Sequence, residues 1–266
     1  MTFTVIGSSG MIGTAICDAV RSQGEVVAAI SRTSPIPDSS LGNVIFAAGV
    51  TGNFLERRAD GLDAHVRLVD EVLRCHDFTS FTYLSSTRLY KRAESTEEDA
   101  PIPVRSDLAD DYYTLTKLMG EALCHGVTDR PSRVIRLSNV VGHRLVPGNF
   151  LHSIVSHARK TGHARFTAAL SSSKDYVCLD DAVEAIFMIS EHSRERAYNV
   201  ASGRNIEHGE IASLIRSELG AAIEVSPDAE SEIPRRISIG RVSAEFGFCP
   251  SPVLPMIKKI MQTDAE

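Results

Sequence analysis

Residues 3–13 read FTVIGSSGMIG, which joins a short apolar run to a glycine-rich turn and the start of a helical pattern. The apolar residues that continue at helical spacing are Ile12, Ala15, Ile16, Ala19 and Val20. Glycines between a strand and a helix let backbone N–H groups approach a pyrophosphate at the positive helix end. Because a tight turn also needs glycine for structural reasons, Gly7, Gly10 and Gly13 indicate a dinucleotide site only in this strand-to-helix context.

Apolar runs and helical patterns keep alternating after this turn. Buried strands are predicted at residues 25–31, 44–48, 81–85 and 133–138, and helices at about residues 59–76 and at 108–126. Such alternation is typical of βαβ units with parallel strands and right-handed crossovers. The sequence therefore predicts an α/β fold with a Rossmann-like doubly wound parallel sheet.

The alternation loosens after Asn139. The elements expected there are a helix at 150–161, a βαβ-like unit (strand 175–179, a helix from 181, strand 197–200), a helix near 211–219, a strand near 223 and a helix from 253. We assign residues 1–145 plus 175–203 to the dinucleotide-binding Rossmann domain. Residues 146–174 plus 204–266 are assigned to a smaller C-terminal α/β substrate lobe.

Composition limits the classes of function. Lys+Arg 28 against Asp+Glu 34 leaves a net charge of -6, so no nucleic-acid partner is expected. No apolar run is long enough for a bilayer, and the first residues lack a basic signal-peptide start, so we expect no membrane association and a cytoplasmic location. The five cysteines form no CxxC pair and the nine histidines form no HExxH motif, so reduced thiols and no metal site are expected.

The end of the second predicted strand bears on the choice of cofactor. An Asp or Glu roughly 20 residues past the glycines would bind the ribose 2′-hydroxyl of NAD. The sequence there is Ser31-Arg32-Thr33-Ser34, which offers hydroxyls and a guanidinium but no carboxylate. Arginine matches a phosphate bidentately, so NADP(H) is favoured over NAD(H), with a solvated surface arginine as the structural alternative.

Lys117 follows Tyr113 at the i,i+4 spacing on the helix predicted at 108–126, which places both side chains on one face. A tyrosine titrates near pH 10, so it needs an adjacent cation to exchange a proton at neutral pH; Lys117 and an oxidised nicotinamide could supply that charge. Residues 85–90 read SSTRLY directly after a strand, where a serine hydroxyl can bind a substrate carbonyl.

Taken in order, these motifs resemble an extended short-chain dehydrogenase/reductase, and more narrowly the NAD(P)-dependent epimerase/dehydratase family that acts on nucleotide sugars. The resemblance extends from residue 3 to about residue 250. Its motifs are the glycine turn, AAG at 47–49, SSxxxY at 85–90, YxxxK at 113–117, RLSNVVG at 136–142, KDYVCLDD at 174–181, YNVASG at 198–203 and FGFCP at 246–250.

The resemblance implies that Tyr113 is the general acid or base, that Ser86 polarises the carbonyl, and that Lys117 binds the ribose and lowers the tyrosine pKa. The cofactor-binding residues that it implies are Gly7, Ser9, Gly10, Met11, Ile12, Gly13, Ser31, Arg32, Ser34, Ala47, Ala48, Gly49, Tyr113, Lys117, Leu137 and Val140. The substrate-binding residues are Thr87, Arg88, Asn139, Asn149, Phe150, Lys174 and Arg236. As alternatives, Asn149 only caps a helix, and Arg236 or its neighbour Arg235 is solvated.

The sequence departs from the family pattern at three places. Residues 31–43 are too few for the strand and helix that the family places there, so we expect a sheet shortened at the edge after the second strand and a more open adenine pocket. Lys174 replaces the usual arginine, which weakens bidentate phosphate binding. The asparagine common in the helix before the serine strand is not evident, and His65 lies nearby without clear equivalence.

The same comparison narrows the reaction. Thr87 and Arg88 stand where sugar-nucleotide dehydratases carry an Asp-Glu pair, and Arg88 also replaces the cysteine of members that epimerise beside the ketone. What remains is NADPH-dependent reduction of a keto group on a sugar that we expect to be nucleotide-linked. A nucleotide-sugar 4-epimerase and a reductase of a non-sugar ketone or aldehyde are alternatives. A non-catalytic NADP sensor would not need the complete Ser-Tyr-Lys set.

The family also implies a homodimer formed through a four-helix bundle. The helices at 59–76 and 108–126 would supply it. Their apolar residues available for such a contact are Leu62, Val66, Val69, Leu115, Leu118 and Leu123. In the alternative arrangement, all six face the protein's own sheet.

Overall fold

The structure is a computed structural model that describes residues 1–143 and 149–262. Its strands are β1 (Thr2–Ile6), β2 (Val26–Ile30), β3 (Asn43–Phe46), β4 (Ser80–Ser86), β5 (Ser132–Leu137), β6 (Asn139–Val141), β7 (His163–Phe166), β8 (Ser173–Cys178), β9 (Ala197–Val200), β10 (Asn205–Glu207) and β11 (Ala222–Val225). Its α-helices are α1 (Met11–Ser22), α2 (Arg58–Leu62), α3 (Leu68–Cys75), α4 (Tyr112–Gly126), α5 (Phe150–Thr161), α6 (Leu179–His192), α7 (His208–Leu219), α8 (Gly240–Phe246) and α9 (Val253–Gln262).

Six parallel strands form the main sheet in the order β2-β1-β3-β4-β5-β9. β1 lies between β2 and β3, and Ile6 pairs with Ile30 on one side and with Phe46 on the other. The carboxyl ends of these three strands therefore meet where the chain reverses its winding direction, and ligands of open α/β sheets bind at such a point. The predicted Rossmann-like fold is confirmed.

β2 forms one edge of this sheet. Residues 31–42, which follow it, form neither a strand nor a helix. The predicted shortening of the sheet is therefore confirmed, and the edge of β2 has no neighbouring strand among the described residues. Val26 lies exposed on this edge strand.

β8 does not join the main sheet, although the sequence predicts a βαβ-like unit from residues 175–179 and 197–200. It pairs in parallel with β6 and antiparallel with β10, so that prediction is wrong. The side chain of Val177 packs in the main-sheet core, whereas Tyr176 and Cys178 pack in the core of the C-terminal elements. A strand buried on both faces resembles a parallel-sheet strand in sequence, which explains the error.

The C-terminal elements form a hydrophobic core of their own. It brings together α5, β7, α7 and α9 through buried residues that include Ile154, Phe166, Ile211, Ile215 and Ile257. The predicted junction between residues 145 and 146 lies outside the described residues. None of the described helices combines the length and hydropathy needed to cross a membrane.

Two helices that frame the cleft differ from their predicted form. The helix predicted at 108–126 begins at Tyr112, after a single 3-10 turn that ends at Asp111. The buried Asp111 carboxylate accepts hydrogen bonds from the Arg105 backbone N–H and from Arg92. The helix predicted at 59–76 contains a π-helical turn, Asp63–Arg67, between α2 and α3. Such turns occur often at functional sites.

Candidate active site

Gly7 forms the bend between β1 and α1. Its φ is +93°, and a Cβ at this position would lie 2.5 Å from the backbone nitrogen of Ala48. A Cβ on Gly13 would lie 2.2 Å from the Gly7 carbonyl oxygen. Gly10 is the N-cap of α1, and no side chain of the described residues caps this helix. The turn therefore leaves N–H groups and space for a pyrophosphate, so these residues fit a dinucleotide.

Ser31 and Ser34 lie together at the end of β2, with their hydroxyl oxygens 2.8 Å apart. Arg32 is 75% exposed, and its Nη1 lies 4.0 Å from Oδ2 of Asp60. The Asp60 carboxylate accepts two hydrogen bonds from Arg57. The predicted residues are thus close together, beside an acidic group from α2 that the sequence analysis missed because it is distant in the chain.

The remaining predicted cofactor residues line the turn and the strands beside it. Ser9 lies exposed in the turn, and Ala47 is anchored by a hydrogen bond from its N–H to the Ile6 carbonyl oxygen (2.8 Å). The side chains that pack on the main-sheet core are those of Met11, Ile12, Leu137 and Val140.

Ser86 ends β4, and Tyr113 lies in the first turn of α4, close enough for the Ser86 side chain to affect the pKa of the Tyr113 hydroxyl. The buried Tyr113 ring lies 5.4 Å from the ring of Phe54, with the guanidinium of Arg88 5.8 Å from its centroid. Burial raises the pKa of Tyr113, and the Ser86 hydrogen bond and the Arg88 charge lower it in part. The phenol is therefore protonated at neutral pH and can donate a proton.

Lys117 is buried one turn further along α4. Its Nζ donates a hydrogen bond to the Leu84 carbonyl oxygen (2.9 Å) and lies 4.8 Å from the ring centroid of Tyr83. Burial lowers the pKa of Lys117 to about 7, against the charge of Glu121, which raises it. In this structure Arg88, rather than Lys117, is the cation that lowers the Tyr113 pKa.

A buried polar network behind the carboxyl end of β4 was not foreseen. Glu121 and Arg136 form an ion pair through two hydrogen bonds of 2.7 and 3.0 Å. Ser85 donates to Glu121 (2.6 Å), and Arg136 donates to the Tyr90 hydroxyl (2.7 Å), which donates to Asn199 (2.9 Å). The network joins α4, β4, β5 and β9. Its signal in the sequence is a charged residue inside an otherwise apolar strand or helix face.

Arg88 lies at the entrance of the site, in the 3-10 turn Thr87–Arg92. Its guanidinium lies 4.9 Å from the ring centroid of Phe54 and donates to Asp110 Oδ1 (2.8 Å). Lys91 donates to the other oxygen of the same carboxylate (2.6 Å). Two cations thus share one carboxylate, and Glu232 lies 3.8 Å from Lys91 Nζ as a second acidic group.

Two of the predicted substrate residues, Lys174 and Phe150, lie together in the C-terminal lobe. Lys174 Nζ lies 5.0 Å from the ring centroid of Phe150, and this ring stacks on His208 at 4.7 Å. Burial lowers the pKa of Lys174, Glu232 raises it, and Arg88 lowers it further. Arg88 thus contributes to the electrostatic environment of Lys174.

Other predicted substrate residues have structural partners instead. Asn149 caps α5 by accepting a hydrogen bond from the His152 N–H (2.6 Å), as its structural alternative required. Asn139 donates to the Asp175 carbonyl oxygen (2.8 Å). The exposed Arg236 contributes its carbonyl oxygen to Thr96 (2.8 Å).

The described residues contain no group of three or more His, Cys, Asp or Glu placed to hold a metal ion. A glycine turn at the switch point, with Ser86, Tyr113 and Lys117 at the neighbouring strand end, defines an extended short-chain dehydrogenase/reductase. Residues 43–201 match the NAD dependent epimerase/dehydratase family, and the chain belongs to that family.

Individual proteins resemble this chain along most of its length. A dTDP-4-dehydro-6-deoxy-D-allose reductase from Streptomyces sp is 24% identical over 252 residues, which cover 88% of this chain and 76% of that protein. The structure of an NAD-dependent NDP-hexosamine 5,6-dehydratase of tunicamycin biosynthesis gives a TM-score of 0.83 at 17% identity, covering 98% and 97% of the two chains. RMD from Pseudomonas aeruginosa, complexed with NADPH, gives 0.78 at 19% identity, with 98% and 97% covered.

Proposed function

We propose that the protein is an NAD(P)-dependent oxidoreductase that reduces a keto group on a nucleotide-linked sugar. The observation that carries this proposal is the buried Tyr113 next to Ser86 at the end of β4, with the buried Lys117 on the same helix. The reductase name of the Streptomyces relative supports the same reaction class. Thr87 and Arg88 supply no carboxylate for eliminating water, which favours reduction over dehydration.

The main-sheet cleft binds the cofactor in this proposal, and the lobe formed by residues 146–174 plus 204–266 binds the substrate. The nicotinamide dinucleotide, when bound, supplies the hydride. Ser86 donates a hydrogen bond to the substrate carbonyl, and Tyr113 donates its phenolic proton to the same oxygen. Hydrogen bonds that strengthen as negative charge develops lower the barrier. Lys117, with its pKa lowered to about 7, holds the ribose and returns a proton to Tyr113.

We also propose a preference for NADP(H). Ser31, Arg32 and Ser34 would receive the 2′-phosphate, and the exposed Arg32 is free to turn towards it because its contact with Asp60 is long, at 4.0 Å. A charge-assisted hydrogen bond contributes about 1.5–3 kcal/mol. Arg32→Ala should therefore weaken NADPH binding at least tenfold, with NADH binding unchanged. Equal affinity of the wild type for NADPH and NADH would contradict this preference.

The substrate is tested by following NADPH oxidation with nucleotide-linked 4-keto sugars and with simple ketones. We expect oxidation with the sugars. A 4-epimerase would convert a nucleotide sugar without net oxidation of NADPH, and turnover of simple ketones alone would identify a non-sugar reductase. Either result would replace the proposal.

We further propose a homodimer through the outer faces of α2, α3 and α4. Leu62 and Met119 are 43% and 52% exposed there, which leaves apolar side chains for a partner. Val69 is fully buried in the main-sheet side of the fold, so its inclusion among the contact residues was wrong. Light scattering should give twice the chain mass of 28.9 kDa, and a mass of 28.9 kDa at micromolar concentration would contradict the dimer.

A further inference from the structure

His65 lies in the π-helical turn between α2 and α3 and is only 1% exposed. The turn fits closely against α4: a Cβ on Gly120 would lie 2.5 Å from the His65 carbonyl oxygen. The segment that carries the imidazole is therefore packed so closely that it cannot move nearer to α4. Its ring meets the Tyr113 ring edge-on, with centroids 5.5 Å apart.

Each ring nitrogen of His65 has one partner. Nε2 lies 3.1 Å from the backbone nitrogen of Val50, whose N–H can only donate, so Nε2 must be the acceptor. Nδ1 lies 3.0 Å from Oγ1 of Thr116, whose own proton is donated to the Tyr113 carbonyl oxygen (3.0 Å). Nδ1 must therefore carry the proton and donate it to Thr116. The two bonds assign the neutral Nδ1–H tautomer.

The surroundings keep this imidazole neutral. Burial, with a smaller contribution from the Lys117 charge, lowers the pKa of His65 to about 2. A Cβ built on Gly49 would lie 3.2 Å from His65 Nε2 and 3.4 Å from Lys117 Nζ, so both nitrogens border the same small space. A protonated His65 would repel the Lys117 ammonium, whereas the neutral imidazole does not.

We propose that His65 is a positioning residue that joins the loop after β3 to the catalytic helix. Through Val50 it fixes residues 47–50, which include the predicted cofactor-binding residues 47–49, and through Thr116 it fixes the turn of α4 that carries Tyr113 and Lys117. The effect on the cofactor rests on the proposed function, but the tautomer does not.

The tautomer is tested on the wild-type protein by nitrogen-15 NMR of the histidine rings. We expect His65 to give the Nδ1–H pattern from pH 5 to pH 9, although free neutral histidine favours the other tautomer. An Nε2–H pattern, or a titration in this range, would overturn the assignment. This measurement needs no ligand, so its result is independent of the proposed function.

The positioning role is tested by NADPH affinity and kcat in His65→Leu, His65→Gln and Thr116→Val. The Leu variant should lose about tenfold or more in NADPH affinity and in kcat, because the buried Val50 N–H loses its acceptor. The Gln variant keeps an acceptor and should recover part of both. Thr116→Val should reduce both by a smaller factor, and Thr116→Ser should restore them. If His65→Leu does not fold, the Gln and Thr116 variants carry the test.

The matched control is His76→Gln, since His76 also bonds a backbone group, the Pro37 carbonyl oxygen, but lies at the C-cap of α3, just before the amino end of β4 and away from the strand ends that carry the site. It should leave affinity and kcat unchanged. Variants that lower only the melting temperature, with NADPH affinity and kcat intact, would reduce His65 to a structural residue and overturn the proposal. A wild type that binds no nicotinamide dinucleotide would instead contradict the proposed function itself.

Discussion

On the main-sheet side of the cleft, Tyr113 and Lys117 are buried. Lys117 donates a hydrogen bond to the Leu84 carbonyl oxygen, and Ser86 accepts one from the Arg88 backbone N–H. On the lobe side, Arg236 is exposed and Asn149 is used as a helix cap. A functional side chain is held in its productive geometry by packing and hydrogen bonds, which the buried residues have and the exposed Arg236 side chain has to a lesser degree. The difference agrees with our proposal that the main-sheet residues carry the chemistry and that the lobe determines substrate choice.

The largest effect is expected for Tyr113→Phe, which keeps the ring and removes the proton donor. We expect kcat to fall by ~10²–10⁴, with NADPH affinity preserved. Tyr112→Phe is the matched control, because its hydroxyl bonds only the Arg58 carbonyl oxygen at the surface and should leave kcat unchanged. Near-normal kcat in Tyr113→Phe would refute the proton transfer.

Glu121→Leu tests whether the main-sheet side is held by its buried network. The change leaves Arg136 buried without its carboxylate, so urea unfolding should show a loss of about 3–5 kcal/mol. Asp70→Asn breaks an exposed pair with Arg74 and should cost at most about 1 kcal/mol. Equal losses in the two variants would mean that the buried pair has no special role.

Lys174→Met tests the lobe side. Removing the ammonium should raise the substrate KM about tenfold with little change in kcat, since a substrate contact formed equally in the ground and transition states affects binding alone. Lys160→Met, an exposed change in the same lobe, should leave both constants unchanged. A fall in kcat without a change in KM would place Lys174 with the catalytic residues instead.

The smallest effect concerns the pH dependence of stability. The pKa of Lys117 falls from 10.5 to about 7 on folding, so the unfolded chain binds more protons between these values. The free energy of unfolding should therefore rise with pH above about 7 relative to Lys117→Met. Urea unfolding at pH 6 and pH 8.5 measures this difference. A constant gap between the two proteins would show that the ammonium keeps its ordinary pKa.

The sheet and the Ser86, Tyr113 and Lys117 positions could be predicted because they depend on local patterns: apolar periodicity, a glycine turn and a four-residue spacing. The orientation of His65 could not, because a π-helical turn is set by packing against Gly120. The dual role of β8 was also hidden, since two different cores bury its faces. Long-range partners of this kind leave only a weak trace in one sequence.

In the reaction we propose, NADPH transfers a hydride to a nucleotide-linked keto sugar and Tyr113 donates the proton. The most direct measurement incubates the protein with NADPH carrying deuterium at the transferable C4 position and nucleotide-linked 4-keto sugars, and weighs the product by mass spectrometry. We expect a reduced sugar that is about one mass unit heavier than the product from ordinary NADPH, and far less of it with Tyr113→Phe. A product without deuterium, or no reduction of these sugars by a protein that binds NADPH, would contradict this proposal.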